Sequence, residues 1–471
     1  MDTLHLKAPG NWLNDPNGFI YYRGEYHLFY QYFPYAPVWG TMHWGHAVSR
    51  DLVHWEHLGV ALFPTRLEDQ NGCFSGSAVE HDGRMNLYYT GIRYKEVDPE
   101  NIHVSDKDYE AAQIMISSED GYSFDNFGGK RVVIPTKENV RDPKVWKEGG
   151  DFYMVLGGTC RGEMGSALFY RSGDGLNWRY MSRFQSGRFG KILECPDIFR
   201  AGDSCVFIGS AMHITEGTGG YEHHAVCMPV DFDTERCRLA LREEHQYVDY
   251  GLDLYAPQTN VDAEGRRVMI AWMRMPMAVE KQGSAPWNGM MCLPRVMECE
   301  DNHIYFRVHP AVEKYFGEMI LGQESVFDGG EDDTREDDAR EDICIDESMG
   351  ITGVPADGKR NGRNILSGEP RRIQVTLRPG ESLDIGGFKI WEESDFIRTD
   401  RRAVFGDISG YRMVSSTPKL HGRYQLDIFV EPNLIEVFVN SGEYVISNVV
   451  YGLGKTIRGR VEKIFVGETG E

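Results

Sequence analysis

Several large functional classes are ruled out by what this 471-residue chain lacks. No stretch approaches eighteen consecutive apolar residues, so nothing reads as a bilayer-spanning helix. The opening residues, Met1 to Gly10, carry no basic-then-apolar leader pattern. Basic residues are in deficit: 50 Lys and Arg stand against 72 Asp and Glu, a net charge of −22. A phosphate backbone or an anionic membrane would be repelled, which argues against nucleic acid and membrane as partners but leaves room for a small basic pocket. Paired cysteines are missing too. The nine cysteines are odd in number and scattered singly, with no C-x-x-C. They read as reduced thiols, not as a disulfide framework or a zinc site, and the expected compartment is the cytoplasm. A homo-oligomer is compatible with this composition.

What is present is apolar and aromatic side chain, 41% and 12% of the residues, enough for a large interior. At this length two or three domains are expected. Up to about residue 310 the chain repeats itself. Five segments share a polar head, an apolar strand, a glycine-containing turn and a second apolar strand, with heads at Asp15, Ser75, Asp142, Glu194 and Tyr255. A second marker, S-x-D-x-x-x-aromatic, follows three of the hairpins: Ser49/Asp51/Trp55, Ser118/Asp120/Phe124 and Ser172/Asp174/Trp178. Short strands in radial repetition point to a five-bladed β-propeller over residues 1–310, where a run of unrelated hairpins in a sandwich is the plainer alternative. The innermost strand of each blade lines the central channel, so the heads would meet at one mouth.

Residues 311–325 read as a linker containing a short helix. Residues 326–471 begin with an acidic run, Glu331-Asp332-Asp333 through Glu341-Asp342, which reads as a solvated loop. Strand patterns at 373–377, 388–391, 424–430, 434–439 and 444–446 then suggest a smaller C-terminal β-sandwich without a catalytic constellation. The fold class expected is thus all-β.

Asp15 lies in Gly-Asn-Trp-Leu-Asn-Asp-Pro-Asn-Gly, where Pro16 holds it in an extended conformation. Taken alone, this stretch reads first as a strand-initiating turn. Three acids at the heads of three blades, Asp15, Asp142 and Glu194, suit glycoside hydrolysis, in which one carboxylate attacks and another donates a proton. Aromatic neighbours (Trp12, Trp39, Phe74, Tyr255, Trp287) would stack on sugar faces. Arg141 should help keep Asp142 ionised, and proximity to two like charges should raise the pKa of Glu194.

The segments Trp12-Leu13-Asn14-Asp15-Pro16-Asn17-Gly18, Phe74-Ser75-Gly76-Ser77, Arg141-Asp142-Pro143 and Glu194-Cys195-Pro196-Asp197 resemble the signature motifs of glycoside hydrolase family 32, the β-fructosidases. The stretch from Trp39 to Trp55 and Tyr255-Ala256-Pro257-Gln258-Thr259 are similar to that family as well. The resemblance implies a five-bladed propeller followed by a β-sandwich. It also implies a retaining β-fructofuranosidase acting through a covalent fructosyl-enzyme intermediate. Asp15 would be the nucleophile, Glu194 the acid/base and Asp142 the stabiliser of the transition state. Asn14, Gln31, Trp39, Phe74, Ser75, Arg141, Tyr255 and Trp287 match positions that line the family's fructose pocket. No cofactor or metal is implied.

Within the family, Asn71 to Ala78 and the expected cytoplasmic setting look like the branch acting on sucrose or sucrose 6-phosphate. Arg93, Lys95, Lys137 and Arg161 are the cations near enough in sequence to meet a phosphate. An exo-acting fructan or fructo-oligosaccharide hydrolase and a fructosyltransferase share the same acids. An inverting five-bladed arabinanase or xylosidase would hold its carboxylates farther apart. A lectin-like propeller would bind sugar without turnover. His43, His46, His54 and His57 invite a metal reading, yet no cysteine or carboxylate spacing completes a site.

Overall fold

The structure is a computed structural model that describes residues 2–105, 109–137, 140–214, 223–242, 245–322, 324–328, 359–360, 365–366 and 369–468. The acidic run at 331–342 lies outside the described residues. The chain divides into two compact units, Met1–Val312 and Glu313–Glu471.

The first unit holds five antiparallel sheets, each led by an inner strand: Asn11–Tyr22, Cys73–His81, Val140–Glu148, Ile192–Ala201 and Leu254–Val261. They are the five blades of a propeller. Each inner strand forms a hairpin with the next strand, and two more strands follow outward. The glycine-containing turns foreseen in the repeats lie between the first two strands. The S-x-D-x-x-x-aromatic marker closes the turn between the third and fourth strands of the first three blades. In blade three, Asp174 Oδ1 accepts from the N–H groups of Leu176 (2.9 Å) and Asn177 (2.8 Å), while Ser172 Oγ accepts from Gly175 N–H (3.0 Å). Such side-chain-to-backbone bonding is what Ser and Asp offer a turn. Asp51 and Asp120 repeat it.

Apolar side chains fill the seams between blades. Phe29 and Trp44 of blade one pack with Leu87, Tyr89 and Ile114 of blade two, all with no accessible surface. Each contributes roughly 1.5–3 kcal/mol of burial. The ring is tied where its ends meet. Trp287–Asn288, from an excursion within blade five, pairs in parallel with Asn11 and Trp12 of blade one. Gln258 of blade five accepts from Phe19 N–H (2.8 Å) and donates to the carbonyls of Pro16 (3.2 Å) and Gly76 (2.8 Å).

One irregularity recurs five times. The ladder between the first and second strands of every blade shifts register, between Leu13 and Pro16, Cys73 and Gly76, Arg141 and Lys144, Glu194 and Asp197, and Tyr255 and Gln258. Each shift is one extra residue on the inner strand, a β-bulge, which leaves residues unpaired and re-aims their side chains. Proline suits such a place because its missing N–H has no ladder partner to leave, and Pro143, Pro196 and Pro257 occupy three of the bulges. In blade two the residue after the bulge is Gly76. A Cβ there would lie 1.9 Å from Tyr88 O, so only glycine fits.

The second unit is a sandwich of a six-stranded and a seven-stranded sheet. Its strands alternate as sandwich strands should: in Phe388–Glu393, Phe388, Ile390 and Glu392 face in while their neighbours face out. Residues 318–321, expected within the linker, form an edge strand of the six-stranded sheet paired with Lys463–Val466; only the helix Pro310–Tyr315 answers to the connector. Among the described residues no helix is long and apolar enough to cross a membrane.

Candidate active site

The five bulges open at one end of the channel, and the heads meet there. Asn14, Asp15, Gln31, Trp39, Phe74, Ser75, Arg141, Asp142, Glu194, Tyr255 and Trp272 line a single cavity of about 280 Å³. Asp15, Asp142 and Glu194 come from blades one, three and four. Of the residues expected at the pocket, Trp12 and Trp287 are absent from this wall, and Trp287 is the one of them expected to line the fructose pocket. It is buried beside Asn11 in the strand that closes the ring. The indole at the wall is Trp272, edge-on to Trp12 at 5.9 Å.

Each carboxylate is held differently. Asp15 Oδ2 accepts from Ser75 Oγ at 2.6 Å, and Oδ1 from Asn14 Nδ2 at 3.1 Å. Asn14 is in turn fixed by Trp12 Nε1, 2.8 Å from its Oδ1. Asp142 sits in the left-handed region (φ 61°), a conformation the bulge imposes and aspartate tolerates better than most residues. Its N–H donates to Thr90 Oγ1 (2.9 Å), and its Oδ2 accepts from Cys195 N–H (2.9 Å). The Cys195 thiol lies between the two aspartates, 3.5 Å from Asp15 Oδ2 and 3.7 Å from Asp142 Oδ2. Glu194 accepts from Arg141 at one oxygen, Oε1, from Nε (3.2 Å) and an NH2 group (2.9 Å); its other oxygen accepts from Tyr255 OH at 2.8 Å.

The sequence pairs Arg141 with Asp142, as a charge that helps to keep the aspartate ionised. Arg141 does stand 3.9 Å from Asp142 Oδ2, but its hydrogen bonds go to Glu194 and to Tyr109 OH (2.7 Å). The direction of a long side chain is set by its neighbours in space, and Tyr109, on the third strand of blade two, belongs to no motif. Burial raises the pKa of Asp15, with the charge of Glu194 adding to it and the Ser75 bond opposing it. Burial also raises that of Asp142, against the pull of Arg141. The two aspartates are buried, whereas the Glu194 side chain keeps 22% of its surface exposed.

Above the acids, Trp39 and Phe74 meet edge to face at 5.8 Å and form an apolar wall. Gln31, whose Nε2 donates to Cys73 O (3.0 Å), is part of the lining. The histidines that invited a metal reading are apart from this pocket. His46 stacks on Phe29 at 4.1 Å and meets His27 at 3.0 Å, His54 pairs with Asp51, and His57 meets Tyr30 OH. Among the described residues no group of three His, Cys, Asp or Glu could hold a metal ion. Arg93, Lys95 and Arg161 do not line the cavity; the side chain of Lys137 lies outside the described residues.

Comparison with known proteins places these features in context. Residues 5–310 match the N-terminal domain of glycosyl hydrolases family 32, and residues 382–460 match that family's C-terminal domain. The raffinose invertase of Escherichia coli is 32% identical over 456 residues, covering 95% of this chain and 89% of that protein. A sucrose-6-phosphate hydrolase of Zymomonas mobilis is 37% identical over 319 residues, covering 64% of this chain and 60% of that protein, less than two thirds of its length. Among solved structures, a Bombyx mori β-fructofuranosidase mutant in complex with sucrose aligns with a TM-score of 0.76 at 26% identity, over 99% of this chain and 92% of that one. The sucrose-6-phosphate hydrolase of Lactobacillus gasseri shares the fold, with a TM-score of 0.77 at 21% identity, over 99% and 93% of the two chains.

Proposed function

The chain belongs to glycoside hydrolase family 32, and on that footing we propose that it is a retaining β-fructofuranosidase that hydrolyses the fructosyl linkage of sucrose or sucrose 6-phosphate. The observation that carries this reading is the convergence of three carboxylates from three blades on one pocket. At about 280 Å³ the pocket is near the small end of ligand sites, suited to one furanose ring with its leaving group at the mouth.

In this reading Asp15 is the nucleophile. Ser75 and Asn14 fix its carboxylate, and burial strips it of water, so the ion is aimed and under-solvated. It attacks the anomeric carbon as the C–O bond to the leaving group breaks. Glu194 supplies the proton to the departing oxygen. Arg141 occupies its Oε1, which leaves Oε2, beside the Tyr255 hydroxyl, as the oxygen that carries the proton. In the second half-reaction Glu194, now ionised, takes a proton from water as that water displaces Asp15 from the fructosyl carbon. Asp142 accepts hydrogen bonds from fructosyl hydroxyls and offsets the positive charge that develops on the ring. Trp39 and Phe74 exclude water from the sugar face.

The sucrose-6-phosphate hydrolases and the raffinose invertase among the relatives support sucrose-type fructosides as the substrate class. The test is the stereochemistry of transfer. With sucrose as donor and methanol as acceptor, the product expected is methyl β-fructofuranoside, read by NMR; the α anomer would remove Asp15 from its role and favour an inverting mechanism.

A further inference from the structure

An acid/base that gives up a proton in one half-reaction and takes one in the next depends on what holds its carboxylate. Glu194 Oε1 accepts twice from Arg141, from Nε at 3.2 Å and Nη2 at 2.9 Å, and its Oε2 accepts from Tyr255 OH at 2.8 Å. Asp15, Asp142 and Cys195 are near enough from the bulges to feel its charge, and so is Tyr109 from blade two. Behind Tyr255 stand Arg274, 4.9 Å from the ring centroid, and the His223 ring, at 6.4 Å. Arg141 is the cation bonded to Glu194.

Arg141 has two carboxylates within reach. It is buried, and its Nε lies 3.2 Å from Glu194 Oε1 and 3.9 Å from Asp142 Oδ2. A small turn of the guanidinium would exchange one for the other. The two nitrogens on the Glu194 side converge on a single oxygen, which by itself leaves the plane free to swing. The third nitrogen removes that freedom: Nη1 donates to Tyr109 OH at 2.7 Å. Among the described residues the remaining hydrogen-bond partner of the guanidinium is the Met212 sulfur, 3.9 Å from Nη2 and a weak acceptor. Tyr109 is itself well fixed. It opens the strand Tyr109–Ser118, pairs across the ladder with buried Tyr94, and packs its ring 6.4 Å from that of Phe74. Burial pushes its phenol pKa up, so the hydroxyl stays neutral and its oxygen serves as an acceptor. Tyr109 does not line the cavity, so any part it plays in the reaction passes through Arg141.

We infer that Tyr109 is a positioning residue whose hydroxyl commits Arg141 to Glu194 in place of Asp142. The inference rests on the acid/base role proposed for Glu194. Without the hydroxyl, Nη1 becomes a buried donor lacking its acceptor, a cost that turning toward Asp142 relieves. Glu194 then loses the nearby cation that favours its ionised form. Tyr109→Phe keeps the ring and removes the oxygen. The measurement is the pH dependence of kcat/KM for sucrose on the full chain, whose basic limb reports the essential acid of the free enzyme. That limb should move up by about half a pH unit or more, and the plateau of kcat/KM should fall about three- to tenfold. In an Asp142→Asn background the competing carboxylate is gone, so the same substitution should move the limb less than half as far. A packing role would lower activity and leave the limb in place, so an unmoved limb overturns the inference. Equal displacement in both backgrounds overturns it too, as does a rise in KM with the limb unmoved, which would make Tyr109 a substrate contact. Glu194→Gln separates this inference from the reading beneath it. If the limb survives Glu194→Gln, the acid/base assignment falls and the inference with it; if it vanishes there but stays put in Tyr109→Phe, the inference alone falls.

Discussion

The ladders of the propeller and of the sandwich are made from the same material, short apolar strands between glycine-containing turns, and they differ in where they break. All five inner ladders of the propeller skip a residue at the same height. In the sandwich, the only register shift among the described ladders is at the edge, between Met319 and Leu321. Regular pairing delivers side chains alternately to two faces, which builds a core and nothing else. A bulge delivers neighbours such as Arg141 and Asp142, or Glu194 and Cys195, toward one place. The candidate site lies in the unit whose pairing is interrupted.

The largest expected effect sharpens that contrast at the bulges. Asp15→Asn should lower turnover of sucrose by several orders of magnitude, and Glu194→Gln by roughly 10²–10⁴-fold, with folding intact. The two separate by leaving group. With a fructoside whose aglycone departs without protonation, such as nitrophenolate, Glu194→Gln should recover most of the first step and Asp15→Asn none. Equal losses with both donors would erase the distinction between the two carboxylates.

A smaller effect tests the other side. Ile428 lies in the centre of an unbroken sandwich ladder and is fully buried. Ile428→Ala should cost roughly 2–5 kcal/mol of that unit's stability in denaturant unfolding. Turnover per folded molecule should stay within about twofold, since the residue touches no substrate. A matching fall in kcat would mean that the regular ladder also serves the site.

How much of this was legible beforehand follows the same division. The acids, Ser75 and Tyr255 stand at the heads of the repeats, so periodicity predicts that they meet. The bulges left a trace as well: proline within strand-like segments, at 143, 196 and 257, is what an interrupted ladder permits. Residues reached through space left none. Tyr109 and Thr90 act from strands whose sequences read only as apolar alternation, and Trp272 replaces Trp287 at the wall because the chain loops between them. The choice Arg141 makes between two carboxylates depends on rotamer and burial, which no spacing encodes. The edge strand Glu318–Leu321 was hidden because four residues beside a helix carry too little pattern to distinguish a strand from a linker.

The smallest effect expected compares two aspartates of the propeller itself. Asp174 belongs to a turn, where backbone N–H groups, first that of Asn177, hold its pKa well below the usual value. Its ionised form therefore stabilises the fold at neutral pH, and that contribution fades as pH falls through the native pKa. Asp142 belongs to a bulge, where burial pushes its pKa up. The native state then binds more protons than the unfolded chain across the interval above the ordinary aspartate value, so stability falls as pH rises through it. Substitution by Asn should accordingly act in opposite directions in thermal unfolding: Asp174→Asn lowers Tm at neutral pH and matters less in acid, whereas Asp142→Asn raises Tm at neutral pH and loses that advantage in acid. Should Asp142→Asn destabilise the protein at neutral pH, the pull of Arg141 would exceed the cost of burial, and the site would be a stabilising ion cluster instead of a strained one kept for its chemistry.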